Sequence, residues 1–160
     1  MRFLLAVQIL LASQFAFATT NYTSNFICTA STDPTGSEAS NGALITAEAG
    51  CVFSSNTAID PALELVDTSS LDMTAGSVEG LGYGLYAIGS GGSVTISGGS
   101  ISAPFAIFLD GTYSDFDISG TASVQGASGL SALNGTTSVI NISGGTFSDS
   151  EALRPATASS

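Results

Sequence analysis

The sequence predicts an all-β fold, a short parallel β-solenoid of about four to five coils. A phrase of the type Ile-Ser-Gly recurs along the second half of the chain, at residues 96–99, 118–120 and 142–145. Around each phrase, apolar residues alternate with polar ones, which is typical of a strand with one buried face. The phrases return about every 23 residues, a spacing that suits three short strands per coil and is too short for a propeller blade.

Three apolar positions recur in each repeat and define three strands per coil. The first position, inside the alternating strand, is occupied by Ile45, Met73, Ile96, Ile118 and Ile142. The second follows a bend of Gly or small residues and is occupied by Val52, Val78, Ile101, Val124 and Phe147. The third belongs to apolar clusters upstream of the phrases, which begin at Leu63, Leu85, Phe105 and Leu130. A sandwich of antiparallel hairpins stays open as the alternative, because Ser-Gly-Gly also forms hairpin turns.

Over residues 43–148, the Ile-Ser-Gly-Gly phrases and the strand Gly84-Leu85-Tyr86-Ala87-Ile88 give the chain a family resemblance. It resembles the right-handed parallel β-helix proteins of the pectin-lyase-like superfamily, in particular non-catalytic surface or secreted members. The resemblance implies a right-handed parallel β-helix. That superfamily contains lyases, hydrolases, epimerases and proteins without catalytic activity, so the fold does not identify the function.

The segments outside the repeats have their own composition. Residues 1–18 have a basic start, an apolar stretch and a small-residue cleavage site, which predict a secretory signal peptide. Residues 19–42 are expected to cap the coils of residues 43–148, and residues 149–160 are expected to form a flexible polar tail. Cys28 and Cys51 in an exported chain predict a disulfide that ties this cap, whereas a metal site would need further soft ligands.

The charge of the chain excludes one class of partner. The net charge is −11, with 13 acidic residues, two basic residues and no histidine. Contacts to phosphates require cationic side chains, so we exclude nucleic acid as a partner. No second long apolar stretch follows the signal peptide, so we expect no membrane span and a secreted, extracellular protein. The expected partners are extracellular polysaccharides or components of a cell wall or matrix.

The sequence offers little for catalysis. The lyases of the superfamily use a basic residue, and after removal of the signal peptide only Arg154 remains. Serine and cysteine triads lack a histidine base. Asp110, Asp115 and Asp117 could form an acid pair for glycoside hydrolysis, a weak calcium site or plain surface charge. We expect no catalytic residue, no metal and no cofactor, and keep the three aspartates as binding candidates.

Two tyrosines and three sequons complete the candidate sites. Tyr83 and Tyr86 flank Gly84 and could present a ring to a sugar, or could simply pack in the strand. Asn21, Asn134 and Asn141 begin N-glycosylation sequons, which would carry glycans in a eukaryotic source.

These observations favour a secreted, non-enzymatic protein with a structural, adhesive or carbohydrate-contacting role at a cell surface or in a matrix. An acid-pair glycoside hydrolase and an ice-binding solenoid are the alternatives. The ice-binding alternative requires a regular array of threonines, whereas the predicted outward columns mix Asp, Asn, Ser and Thr.

Overall fold

The computed structural model describes residues 20–32, 34–132, 139–148 and 153–154, which contain 18 β-strands and no helix. The strands are, in chain order, β1 (Thr20–Tyr22), β2 (Phe26–Cys28), β3 (Ser37–Ala39), β4 (Leu44–Ala47), β5 (Val52–Ser55), β6 (Leu63–Leu65), β7 (Ser70–Met73), β8 (Ser77–Gly80) and β9 (Tyr83–Ala87). The second half continues with β10 (Ser93–Ile96), β11 (Ser100–Ser102), β12 (Phe105–Leu109), β13 (Asp115–Ile118), β14 (Ser123–Gln125), β15 (Ser128–Ala132), β16 (Ile140–Ile142), β17 (Thr146–Ser148) and β18 (Leu153–Arg154).

These strands build three parallel sheets that run the length of a solenoid of about five coils. Sheet A has the order β1-β3-β6-β9-β12-β15-β18, sheet B the order β16-β13-β10-β7-β4-β2, and sheet C the order β17-β14-β11-β8-β5. From β4 onward, each coil contributes one strand to each sheet, so the chain passes from sheet B to sheet C to sheet A; the first coil passes from β2 in sheet B to β3 in sheet A. The predicted all-β parallel solenoid with three strands per coil is therefore confirmed.

Alternation of apolar and polar residues explains the core. In β10 and β13 the apolar side chains are buried, and the polar side chains between them face outward. Met73, Ile96 and Ile118 pair in register, and all three are at most 1% exposed. Neighbouring strands lie about 4.8 Å apart, so these side chains form one continuous apolar column inside the solenoid.

Tight bends join sheet C to sheet A in the central coils. Only Leu81 and Gly82 separate β8 from β9, and only Ala103 and Pro104 separate β11 from β12. At the bend between sheets B and C, Gly99 has a φ of +81°, and a Cβ there would lie 2.6 Å from the carbonyl oxygen of Gly76. A side chain at this bend would both strain the backbone and collide with the coil below.

The structure corrects two predicted alignments in the first coils. Ile45 pairs with Leu71, and it is Ala47 that pairs with Met73, because β4 buries both Ile45 and Ala47 and the small alanine occupies the position predicted for isoleucine. Phe53, not Val52, is the partner of Val78 in sheet C. Cys51, Val52 and Phe53 are all apolar, so their sequence does not show which of them faces inward, whereas the structure buries Phe53 and leaves Val52 half-buried.

The parallel sheets also extend beyond residues 43–148, the predicted limits of the β-helix, at both ends. Within the predicted cap, β1 pairs with β3 and β2 pairs with β4, so this segment contributes strands to sheets A and B. In the predicted tail, Leu153 and Arg154 pair with Leu130 and Ser131 as the last strand of sheet A. Both segments were predicted from composition, and their short strands become evident only through pairing with the neighbouring coil.

The predicted disulfide is confirmed. Cys28 at the end of β2 and Cys51 before β5 are bonded, with their Cα atoms 5.2 Å apart. The bond joins sheet B of one coil to the bend of the next. The signal peptide predicted for residues 1–18 lies outside the described residues. Among the residues that the structure does describe, no helix is long and apolar enough to cross a membrane.

Candidate functional site

Four aromatic side chains lie together on the outer face of sheet A. They belong to two adjacent strands, β9 and β12, and we call them the aromatic patch: Tyr83, Tyr86, Phe105 and Phe108. Tyr83 pairs in register with Phe105, and Tyr86 pairs with Phe108. Because paired strands are about 4.8 Å apart, this register places each tyrosine beside a phenylalanine of the next coil.

The burial pattern of β9 explains why both tyrosines share one face. Gly84 and Leu85 are both buried, so two inward residues in succession separate Tyr83 from Tyr86. A Cβ at Gly84 would lie 2.5 Å from the carbonyl oxygen of Ala106, which shows how closely the backbones of β9 and β12 approach each other here. Strand β12 repeats the pattern, with Ala106 and Ile107 buried between the two phenylalanines.

The rings pack against one another at the surface. Tyr83 stacks on Phe105 with ring centroids 5.3 Å apart and on Tyr86 with centroids 5.7 Å apart. Phe108 packs in a T-shaped arrangement against Tyr86, with ring centroids 5.3 Å apart, and against Tyr83, with centroids 5.5 Å apart. Such contacts contribute about 0.5–1.5 kcal/mol per pair beyond the burial of area, so the rings hold one another in place. Phe105 nevertheless remains 42% exposed.

Further apolar groups are exposed along the corner where sheet C meets sheet A. Ile59, in the loop before β6, is 58% exposed, and Leu81, in the bend before β9, is 62% exposed. The same corner carries an open groove, lined by Gly80, Ser102, Ala103, Pro104, Gln125, Gly126 and Ala127. Pro104 directly precedes Phe105 in the chain, so the groove adjoins the aromatic patch.

Carboxylates border the patch on two sides. Asp110 follows β12, and its Oδ2 accepts a hydrogen bond of 3.4 Å from the hydroxyl of Tyr86. Glu64 pairs in register with Tyr86 from the strand below, and Glu38 pairs with Glu64 one strand further down. Burial, followed by the negative charges of Glu38 and Asp60, raises the pKa of the Glu64 carboxyl.

The carboxylates that border the patch also affect the pKa of Tyr86. Burial raises the pKa of Tyr86, and the neighbouring charges of Asp110 and Glu64 raise it further. These carboxylates are therefore close enough to the ring to affect a charged group that contacts it.

The structure brings some of the predicted site residues together and separates others. Tyr83 and Tyr86 share one surface, and Asp110 lies at its edge. Asp115 and Asp117 share the outer face of β13 in sheet B, as expected from their spacing, and Oδ1 of Asp117 accepts a hydrogen bond of 2.8 Å from the side-chain amide of Asn141. Within the described residues, no group of three His, Cys, Asp or Glu side chains could hold a metal ion.

Sequence reasoning missed Phe105 and Phe108 as members of this surface. Their clusters were recognised as apolar, but only the pairing of Leu85 with Ile107 aligns the two coils and brings all four rings together. That alignment was the signal that could have identified them.

The outer face of sheet B has a different character. Its central column mixes residue types, as expected, and consists of Thr46, Asp72, Thr95, Asp117 and Asn141. At the sequons, Asn141 and Asn21 are exposed, and the side chain of Asn21 donates a hydrogen bond of 3.0 Å to Glu38. Asn134 lies outside the described residues.

No protein-family model matches this chain, and neither a curated protein nor a solved structure matches it.

Proposed function

We propose that this protein is a secreted, non-enzymatic β-helix protein, of the pectin-lyase-like kind, that holds an extracellular polysaccharide on its aromatic patch. The polysaccharide belongs to a cell wall or an extracellular matrix, so the role is adhesive or structural. The observation that carries this proposal is the set of four packed rings on the outer face of β9 and β12.

The chemistry of a sugar ring explains why such a surface suits it. One face of a pyranose consists largely of C–H groups, and it can lie against an aromatic ring while the hydroxyls at its edge remain hydrated. Tyrosine adds a hydroxyl group at the rim, as on other surfaces that bind partners with both apolar and polar parts. Exposed apolar patches with a polar border mark binding sites in soluble proteins.

The position of the patch on a ladder favours an extended ligand. Tyr83 and Phe105 stack across two coils, and Tyr83 and Tyr86 stack along one strand, so the patch offers more than one ring to a ligand. The groove beside Pro104 offers backbone groups and the side chain of Gln125 to a sugar that extends past the rings. Because the backbone of both coils is fixed by parallel pairing, the ligand meets a surface that is already formed.

The acid pair on β13 does not have the surroundings of a hydrolase site. Asp115 is exposed, and Asp117 is engaged with Asn141. The residues that line the groove include no carboxylate. These features support a binding role over the alternative, an acid-pair glycoside hydrolase that would use Asp115 and Asp117.

Retention on immobilised polysaccharides tests the proposal. We expect the double variant Tyr83→Ala/Phe105→Ala to lose more than tenfold in affinity for any polysaccharide that retains the native protein, since it removes the stacked pair. Thr95→Ala on sheet B is the matched control and should bind normally. Equal binding by both variants, or release of new reducing ends from the polysaccharide by the native protein, would contradict the proposal.

A further inference from the structure

The carboxylates around the aromatic patch bear on the charge of its ligand. Glu64 lies one strand below Tyr86 in the same outward column, and Asp110 is hydrogen-bonded to that tyrosine. Glu38 continues the column below Glu64. A ligand on the rings therefore contacts negative charge on two sides of the patch.

The chain has few positive charges to offset these carboxylates. It contains no lysine or histidine, and its two basic residues are Arg2 and Arg154. Arg154 pairs with Ser131, which itself pairs with Phe108, so its backbone is two strands from the patch. Two strand spacings are about 10 Å between the backbones.

The rings themselves favour a cation. The face of an aromatic ring carries partial negative charge and attracts an ammonium group placed over it, and carboxylates nearby add to this attraction. A polyuronate would instead be repelled by the carboxylates.

We propose, on the basis of the function proposed above, that the aromatic patch selects a cationic glycan, namely a polymer of amino sugars with free amino groups, over neutral and acidic glycans. The sugar faces stack on Tyr83 and Phe105. The protonated amines lie near Glu64 and Asp110, beside the ring of Tyr86.

Three oligosaccharides of matched length test this inference by calorimetry. These are a fully deacetylated glucosamine hexamer, its N-acetylated counterpart and a galacturonate hexamer. We expect the deacetylated hexamer to bind at least tenfold more tightly than the acetylated one at low salt. We expect this preference to shrink in concentrated salt, which screens exposed charges.

Variants assign the preference to the two carboxylates. Glu64→Gln/Asp110→Asn should reduce the preference for the deacetylated over the acetylated hexamer to less than threefold. Burial disfavours the charge of Glu64, so glutamine suits that position and the variant should fold. The control is Asp72→Asn/Glu79→Gln, which removes the same charge from sheets B and C and should retain the preference.

The outcomes separate this inference from the proposed function. If the acetylated or acidic hexamer binds as tightly as the deacetylated one, the charge selection is wrong and carbohydrate binding stands. If no polysaccharide or hexamer binds, the proposed function is itself wrong, and the selection falls with it. The variant Tyr83→Ala/Phe105→Ala could also bind the deacetylated hexamer as tightly as the native protein does. Binding would then be simple ion exchange without the rings, and the inference would be overturned.

Discussion

The hydroxyl of Tyr113 donates a hydrogen bond of 3.1 Å to the carbonyl oxygen of Leu65, 48 residues earlier in the chain. The same hydroxyl accepts a hydrogen bond of 3.2 Å from the backbone N–H of Gly89. Tyr113 is 1% exposed and lies between β12 and β13. The hydrogen bonds of this one buried side chain therefore connect three successive coils.

Replacement of Tyr113 by phenylalanine should lower the free energy of unfolding by about 1–3 kcal/mol. The Leu65 carbonyl would keep its bond from the N–H of Ile88, but the buried N–H of Gly89 would lose the partner that Tyr113 provides. Urea denaturation measures the change. Tyr86→Phe is the control, because its hydroxyl lies at the surface, and it should cost less than about 0.5 kcal/mol. Equal losses of stability in the two variants would contradict the stabilising role given to the buried hydroxyl of Tyr113.

Alkaline pH should destabilise the protein through the same side chain. Burial raises the pKa of Tyr113 to about 12, above the value of about 10 in an unfolded chain. A group whose pKa is raised by folding stabilises the folded state below its unfolded pKa, and this stabilisation is lost as the pH rises from about 10 to about 12. Denaturation midpoints measured over this range should fall steeply for the native protein.

The Tyr113→Phe variant should show a shallower decline in the same experiment. Some decline should remain, because the pKa values of Tyr22 and Tyr86 are also raised by burial. Parallel pH profiles for the variant and the native protein would contradict the assignment to Tyr113.

Truncation of the central aliphatic column should depend on position along the ladder. Ile118 is fully buried, and its partner Ile142 on the next strand is 41% exposed. We expect Ile118→Ala to cost about 2–5 kcal/mol, since it opens a cavity between coils. Ile142→Ala should cost less than half as much, because much of its side chain is already in water. Chemical denaturation of the two variants gives the comparison, and similar costs would refute it.

Removal of the disulfide should destabilise the first coils. Cys28 and Cys51 are 23 residues apart, and a bond that closes a loop of this length contributes about 3 kcal/mol by restricting the unfolded chain. The double variant Cys28→Ala/Cys51→Ala should show this loss in urea denaturation. A reducing agent should lower the stability of the native protein by a similar amount and leave the variant unaffected. A native protein that is indifferent to the reductant would contradict the prediction.

The sequence predicted the solenoid because its period recurs from Met73 to Ile142. Met73, Ile96, Ile118 and Ile142 align through alternation alone, and the structure pairs them as expected. The coil that contains β4 resisted the same reasoning, because Ala47 is too small to stand out beside Ile45. An alternating pattern identifies a buried face, but it does not choose between two buried positions on one strand.

The candidate site was only half predictable for a related reason. Tyr83 and Tyr86 are close in sequence, whereas their contacts with Phe105 and Phe108 depend on the register between coils. The bond from Tyr113 to Leu65 spans two coils and leaves no periodic signal, so it could be found only in the structure.

Because β9 and β12 pair in parallel and in register, a further coil could be inserted between them. A duplicate of residues 82–103, inserted after Ala103, would begin and end at equivalent bends and would add one coil. The added coil would lie between Leu65 and Tyr113, so it would separate these two hydrogen-bonded residues. Each added coil would carry its own pair of tyrosines, so the aromatic surface could be lengthened by one coil at a time. The length of the surface proposed to bind a polysaccharide is thus a quantity that gene duplication can adjust.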